Sequence, residues 1–223
     1  QLVQVADETQ LWADVYQEDM TDIFQVQSNI AEQVVRALDV TLMERERGTL
    51  VSRSTKNIKA YHAYLRGLDY RRYPDYVDEK LRMTVQMFEQ AVSLDPEFAR
   101  AHCELARAHT ALYQFRHDRT PERLARAKEA LERALAVRPD LPEAHLAFGW
   151  YYYWGYRDYD RALSEFTIAA EFLQNDAELH YGQACVFRRQ GEWQTAIVHF
   201  QRASGLDPQN ADINRTVGQT LRY

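Results

Sequence analysis

Seven histidines, two cysteines and 33 acidic residues are the side chains of this 223-residue chain from which chemistry could be built. Metal binding would need histidines spaced i,i+4 on one helix, or a cluster with cysteines or carboxylates in ligand spacing, and neither pattern occurs. Cys103 and Cys185 stand alone, outside any CxxC, so neither a zinc site nor a disulfide framework is indicated. Nucleophilic catalysis would call for a GxSxG turn or a paired Cys/His arrangement, and phosphate chemistry for a glycine-rich loop; none of these is written here. The acid pairs Asp118/Glu122 and Asp158/Asp160 fall at loop–helix junctions, where capping explains them better than general acid–base work. The expectation is therefore no catalytic residue, no cofactor and no metal.

What remains is a set suited to binding. Trp150-Tyr-Tyr-Tyr-Trp154 is a run of five aromatics, which cannot all face one way on a helix because each step turns the side chain by about 100°. Arginines recur at helical spacing on either side of it. Aromatics supply contact area at low entropic cost, and arginine grips carboxylates with two parallel hydrogen bonds.

The elements that must carry these residues are helices. Hydrophobic residues make up 46% and charged residues 27% of the chain, with eight Gly and six Pro, too few for the many turns of an all-β fold. The net charge of −6 lacks the basic footprint of generic nucleic-acid binding. No apolar run approaches 18 residues and no signal peptide opens the chain, so a cytoplasmic location without membrane insertion is expected. The acidity is concentrated: residues 1–47 hold ten acids against three arginines, about −7, which leaves about +1 for the rest.

Internal repetition organises residues 57–223. Small, large and small residues at offsets 0, +4 and +7 recur at Thr84/Phe88/Ala91, Ala127/Leu131/Ala134, Ala162/Phe166/Ala169 and Ala196/Phe200/Ala203, at intervals of 43, 35 and 34 residues. A preceding helix in each unit carries a small residue and a large one three positions later: Gly67/Tyr70, Ala106/His109, Gly149/Tyr152, Ala184/Phe187 and Gly218/Leu221. Pro96, Pro139 and Pro208 close three units, and Gln174 stands at that place in the other. The most regular unit, Ala177–Asn210, resembles a tetratricopeptide repeat (TPR).

That resemblance implies a mainly α fold, a TPR α-solenoid in which antiparallel helix pairs stack into a right-handed superhelix with the A helices on its concave face. Its units would be 57–98 and 99–141, each with an insertion between its two helices, then 142–176, 177–210, and a first helix of a fifth unit at 211–223. His102, His145 and His180 share the fourth position of their units, which marks them as structural. The groove positions of the family fall on Tyr64, Arg107, Trp150, Tyr153, Trp154, Tyr181, Arg188, Arg189 and Arg215, together with Arg71, Arg72, Arg100 and Arg222, giving a groove with aromatics in the middle and arginines on either side. The partner expected there is a protein or peptide segment with acidic groups and an apolar anchor. The Lys and Asn of a chaperone-tail clamp are absent, since Tyr64 and Leu68 stand at the fifth and ninth positions of the first unit.

Residues 1–18 read as a β-hairpin, and 19–48 as a long leading helix begun by Thr21 and ended by Gly48. The stretch from Gln1 to Leu38 resembles the end of a TolB-like segment of bacterial multidomain signalling proteins. There it stands between a TPR array and an effector such as an adenylate cyclase domain or a winged-helix regulator. Both ends of the chain lack caps, so a piece of a longer polypeptide is expected. A structural homodimerisation module, or the non-catalytic region of a cyclase-type enzyme, are the alternative readings.

Overall fold

The computed structural model describes residues 2–3, 10–12, 29–30, 33–34, 37, 54–71 and 77–220. The chain divides into two units, Gln1–Ile58 and Lys59–Tyr223. In the first, strand β1 (Leu2–Val3) pairs antiparallel with β2 (Gln10–Trp12). The turn of the expected hairpin lies outside the described residues. So does most of the expected 19–48 helix, of which residues 29–30, 33–34 and 37 are helical.

The second unit is mainly α. Its helices are α1 (Ile58–Arg71), α2 (Asp78–Leu94), α3 (Ala99–Gln114), α4 (Pro121–Val137), α5 (Pro142–Trp150), α6 (Tyr159–Ala170), α7 (Ala177–Gln190), α8 (Trp193–Leu206) and α9 (Ala211–Thr220). A π-helical segment, Tyr151–Tyr156, extends α5. Local sequence explains the boundaries. Helix α4 is rich in Ala, Leu, Glu and Arg, starts with Pro121 in its first turn, and is capped by the Thr120 hydroxyl accepting from the Arg123 N–H. Asp158 caps α6 and Asp176 caps α7 in the same way.

Packing follows the small–large alternation. Phe88, Phe166 and Phe200 are buried knobs, and glycines on the facing helices make room for two of them. A Cβ at Gly149 would stand 2.3 Å from the Phe166 ring, and one at Gly182 2.6 Å from it, so α5 and α7 close on α6 only because both positions lack a side chain. Gly67 does the same for Phe88, at 2.5 Å.

The fourth position of the A helices has its own role. His102 Nε2 lies 3.0 Å from the Pro96 carbonyl, and His180 Nε2 3.0 Å from that of Gln174. In α9, Asn214 Nδ2 donates to the Pro208 carbonyl at 2.9 Å. Each side chain reaches back six residues and satisfies a carbonyl of the incoming turn, which is the structural histidine expected from the register.

Among the described residues, three A-to-B turns share one device, a left-handed residue: Arg116 (φ 64°), Arg157 (φ 55°) and Gly191 (φ 86°). The His117 N–H then bonds Leu112 O at 3.1 Å and the Glu192 N–H bonds Phe187 O at 2.9 Å, the six-to-one closure of a helix C-terminus. Two turns add a bond six residues back, from the Asp118 N–H to Leu112 O at 3.1 Å and from the Asp158 N–H to Tyr152 O at 3.2 Å. The π segment precedes the latter, and along it the aromatic run divides: Tyr151 and Tyr153 turn into the core while Tyr156 is exposed.

Candidate partner-binding face

The A helices α1, α3, α5, α7 and α9 present one continuous face, and ion pairs cross it. Arg71 Nη1 meets Glu104 Oε2 at 2.8 Å, Arg107 Nη1 meets Glu104 Oε1 at 3.3 Å, and Arg100 Nη2 meets Glu143 Oε1 at 2.8 Å. Arg107 Nη2 also donates to Glu178 Oε1. This last contact joins α3 to α7 although α5 lies between them. Packed helices stand about 8–10 Å apart, so a flat layer would hold α3 and α7 about 16–20 Å apart. The two side chains touch because the face curves inward, with Trp150 of α5 at its floor.

Burial opposes the charge on both Arg107 and Glu178, yet each holds the other ionised. Glu178 and Glu104 outweigh burial and raise Arg107 further above its ordinary value, and Arg107 with Arg71 keeps the Glu178 carboxyl below its own. The nearby indole N–H of Trp150, which has no hydrogen-bond partner among the described residues, also favours the Glu178 carboxylate.

The aromatic residues sit deeper than the sequence suggests. Trp150 is 6% exposed and Tyr153 2% exposed, so the expectation that both offer their rings to a partner is corrected. Trp150 packs on Phe166 (5.5 Å between ring centres), Tyr181 (5.7 Å) and Trp154 (5.9 Å), and the Arg107–Glu178 pair spans the helix that carries it. Tyr153 is enclosed by Trp150, Trp154 and Tyr159. Tyr64 is half-buried against Phe88 and Phe98, and burial raises its phenol pKa, as it does for Tyr181. Burial likewise raises the Cys185 thiol to about 11 and pushes the Cys103 thiol up, so both stay protonated.

The far end of the face differs. Trp154 and Tyr181 are half-buried, Arg188 is half-buried, and Arg189 and Arg215 are exposed. Arg188 Nη1 donates to Thr220 Oγ1 at 3.0 Å and its guanidinium lies 5.4 Å from the centre of the Phe200 ring. Arg189 Nε donates to the Tyr153 hydroxyl at 3.3 Å. Among the described residues, the polar partners recorded for Arg188 and Arg189 are hydroxyls, where those of Arg71, Arg100 and Arg107 are carboxylates. Arg72 and Arg222 lie outside the described residues.

No protein-family profile and no curated protein matches the chain. Among solved structures it is similar to TTC0263, a thermophilic TPR protein of Thermus thermophilus, with a TM-score of 0.55 at 17% identity over 92% of this chain and 100% of that one. The fold is a TPR solenoid. At lower TM-scores stand PilW, a widely conserved type IV pilus biogenesis factor (0.49; 18% identity; 72% of this chain and 70% of that one), and YrrB, a TPR protein with an unusual peptide-binding site (0.43; 21%; 88% and 89%).

Within the TPR register, the residues that sequence reasoning missed are the carboxylates. Glu143 and Glu178 occupy the same second position of their A helices as Arg100, on the very face where the arginines were read. An opposite charge at an equivalent groove position was the available signal that some of those arginines are already paired. Among the described residues, no helix is long and apolar enough to cross a membrane.

Proposed function

We propose that this TPR array is a non-enzymatic protein-binding module whose partner docks at the end of the A-helix face formed by Trp154, Tyr181, Arg188, Arg189 and Arg215. The supporting observation is the division of charge: Arg71, Arg100 and Arg107 are matched by Glu104, Glu143 and Glu178, while Arg188 and Arg189 rest on hydroxyls. An acidic segment gains most where a guanidinium is not already neutralised, and the half-buried Trp154 beside it offers an apolar anchor. The buried Trp150 and Tyr153 pack beneath Trp154 and support that surface from within, while Tyr64 and Arg107 lie farther along the same face.

In this reading the units 57–98, 99–141, 142–176, 177–210 and 211–223 form one array in a larger bacterial signalling or regulatory protein. The resemblance of the first 38 residues to a TolB-like segment supports an adenylate cyclase or winged-helix effector as its neighbour. The test pairs Trp154→Ala with Arg189→Glu in the full chain, with an unchanged unfolding midpoint as the control for folding. Capture of the natural partner should fall at least tenfold; undiminished capture removes the docking site. A homodimer is the second reading, favoured by the outward Trp193 and Val198, 46% and 64% exposed. Light scattering that finds a monomer at high concentration eliminates it.

A further inference from the structure

We propose that His180 of α7 and His199 of α8 form a two-histidine site for an imidazole-preferring divalent metal ion of the Zn2+, Ni2+ or Cu2+ class. Their Nδ1 atoms lie 3.2 Å apart. Two nitrogens bound at about 2.0–2.1 Å to one tetrahedral ion stand roughly 3.3–3.4 Å apart, so a shift of about 0.1–0.2 Å converts this pair into two ligands of one ion.

The surroundings have the form a metal site needs. The Nε2–H of His180 is directed to the Gln174 carbonyl at 3.0 Å, which fixes the tautomer and leaves the Nδ1 lone pair for a ligand. The Phe187 ring, 5.3 Å from that of His199, forms an apolar wall. Both histidines are half-buried and reached from solvent. In the metal-free chain one imidazole donates to the other.

The preceding unit shows what the same register does with an acid. There His145 Nδ1 meets Glu165 Oε2 at 2.8 Å, an imidazole–carboxylate contact in place of two imidazoles. Glu165 and His199 both directly precede the phenylalanine knob of their B helix, so one register carries a carboxylate in the third unit and a second imidazole in the fourth, and it is the all-imidazole pair that suits a metal ion of this class. Among the described residues, no group of three or more His, Cys, Asp and Glu side chains gathers around a common point. Water therefore completes the coordination, and the ion is exchangeable.

Calorimetric titration of the untagged full chain with ZnCl2 and with NiCl2, read beside the visible absorption of a Co2+ complex, tests the site. One ion per chain is expected, with binding weakened at least tenfold in His180→Ala and in His199→Ala and weakened again at pH 5.5, where imidazole protonates. His145→Ala should bind as the parent does. A metal-free unfolding midpoint for each variant establishes that it is folded, and the more conservative His199→Gln replaces any variant that is not. Failure of the parent to bind at millimolar ion, or retention of full affinity in folded His199→Ala or His199→Gln, overturns the proposal. Either result leaves partner docking at Trp154 and Arg189 untouched, because those residues take no part in this pair.

Discussion

In α1 to α4 the A-helix face is closed by charge, with Arg71, Glu104 and Arg107 linked in sequence and Tyr64 packed beneath them. In α5 to α8 it is closed by rings, with Trp154, Tyr181 and Phe166 each packed on Trp150. The same repeat register thus carries two kinds of interior wall. A charged wall resists acidic ligands and responds to pH, since its strength depends on ionisation. A wall of rings depends on shape, and its exposed margin is free to hold arginines that answer to an outside partner. Tyr152 packs against the buried residues of both halves, and Arg107–Glu178 bridges them on the surface.

The largest effect should come from the knob of the ring-built half. Phe166 is fully buried between Gly149 and Gly182, so Phe166→Ala leaves a cavity that helices on both sides line. A loss of about 3–5 kcal/mol is expected. Urea unfolding of the isolated variant measures it, and a loss below about 1 kcal/mol would show that this half does not depend on shape.

Next is the pH response of the charge-built half. His109 is 2% exposed and accepts from Arg123 Nη1 at 3.0 Å; burial, then Arg123, lowers its pKa to about 4 from an unfolded value near 6.5. The folded state therefore binds its proton less readily, and the contribution is complete above pH 6.5 and is lost as pH falls toward 4. The difference corresponds to about 3 kcal/mol at most. His109→Gln, whose amide oxygen still accepts from Arg123, should flatten the stability profile between pH 6.5 and 4. The cost of Phe166→Ala should be the same at pH 7 and pH 5. Equal pH sensitivity of both variants would erase the contrast between the halves.

Glycine substitutions give opposite signs within one fold. Gly149→Ala drives a Cβ into the immobile Phe166 ring and should cost about 1–3 kcal/mol, read from the same unfolding curves. Gly218→Ala in α9 meets nothing within 4 Å and should stabilise by about 0.5–1 kcal/mol. Two destabilised variants would mean that helix propensity and packing are not separable in this array.

Much of this was legible in the residues. The recurrence of Phe88, Leu131, Phe166 and Phe200 with their flanking small residues identifies the helix pairs, because packing needs those sizes at those offsets. The histidine register was legible, though not the bond of His102 and His180 to the carbonyl six residues back, nor the pairing of His145 with Glu165 instead. The face was legible only in outline. Burial of Trp150 and Tyr153 depends on how strongly successive A helices curve, which periodicity within one helix does not encode. The pairing of Arg107 with Glu178 skips a whole unit, and no local spacing signals such a contact. The His180–His199 contact was likewise hidden, since its two residues lie on different helices.

The smallest effect should be indifferent to the two kinds of wall. Arg116 closes its turn in the charge-built half and Arg157 in the ring-built half, both in the left-handed region, where the fourth unit uses Gly191. A side chain in that region crowds its own carbonyl, and glycine removes the crowding at the cost of a more flexible unfolded chain. The first term is larger at a helix C-terminus, so Arg116→Gly and Arg157→Gly should each stabilise by about 0.5–1 kcal/mol. Arg157 follows the π segment, and its N–H and that of Asp158 both reach Tyr152 O, as those of His117 and Asp118 reach Leu112 O in the Arg116 turn. If Arg157→Gly instead destabilises while Arg116→Gly stabilises, the arginine side chain is needed to hold the π segment, and the aromatic half owes part of its order to that turn. Thermal unfolding of the two single variants and their double, with additivity expected within about 0.5 kcal/mol, separates these outcomes.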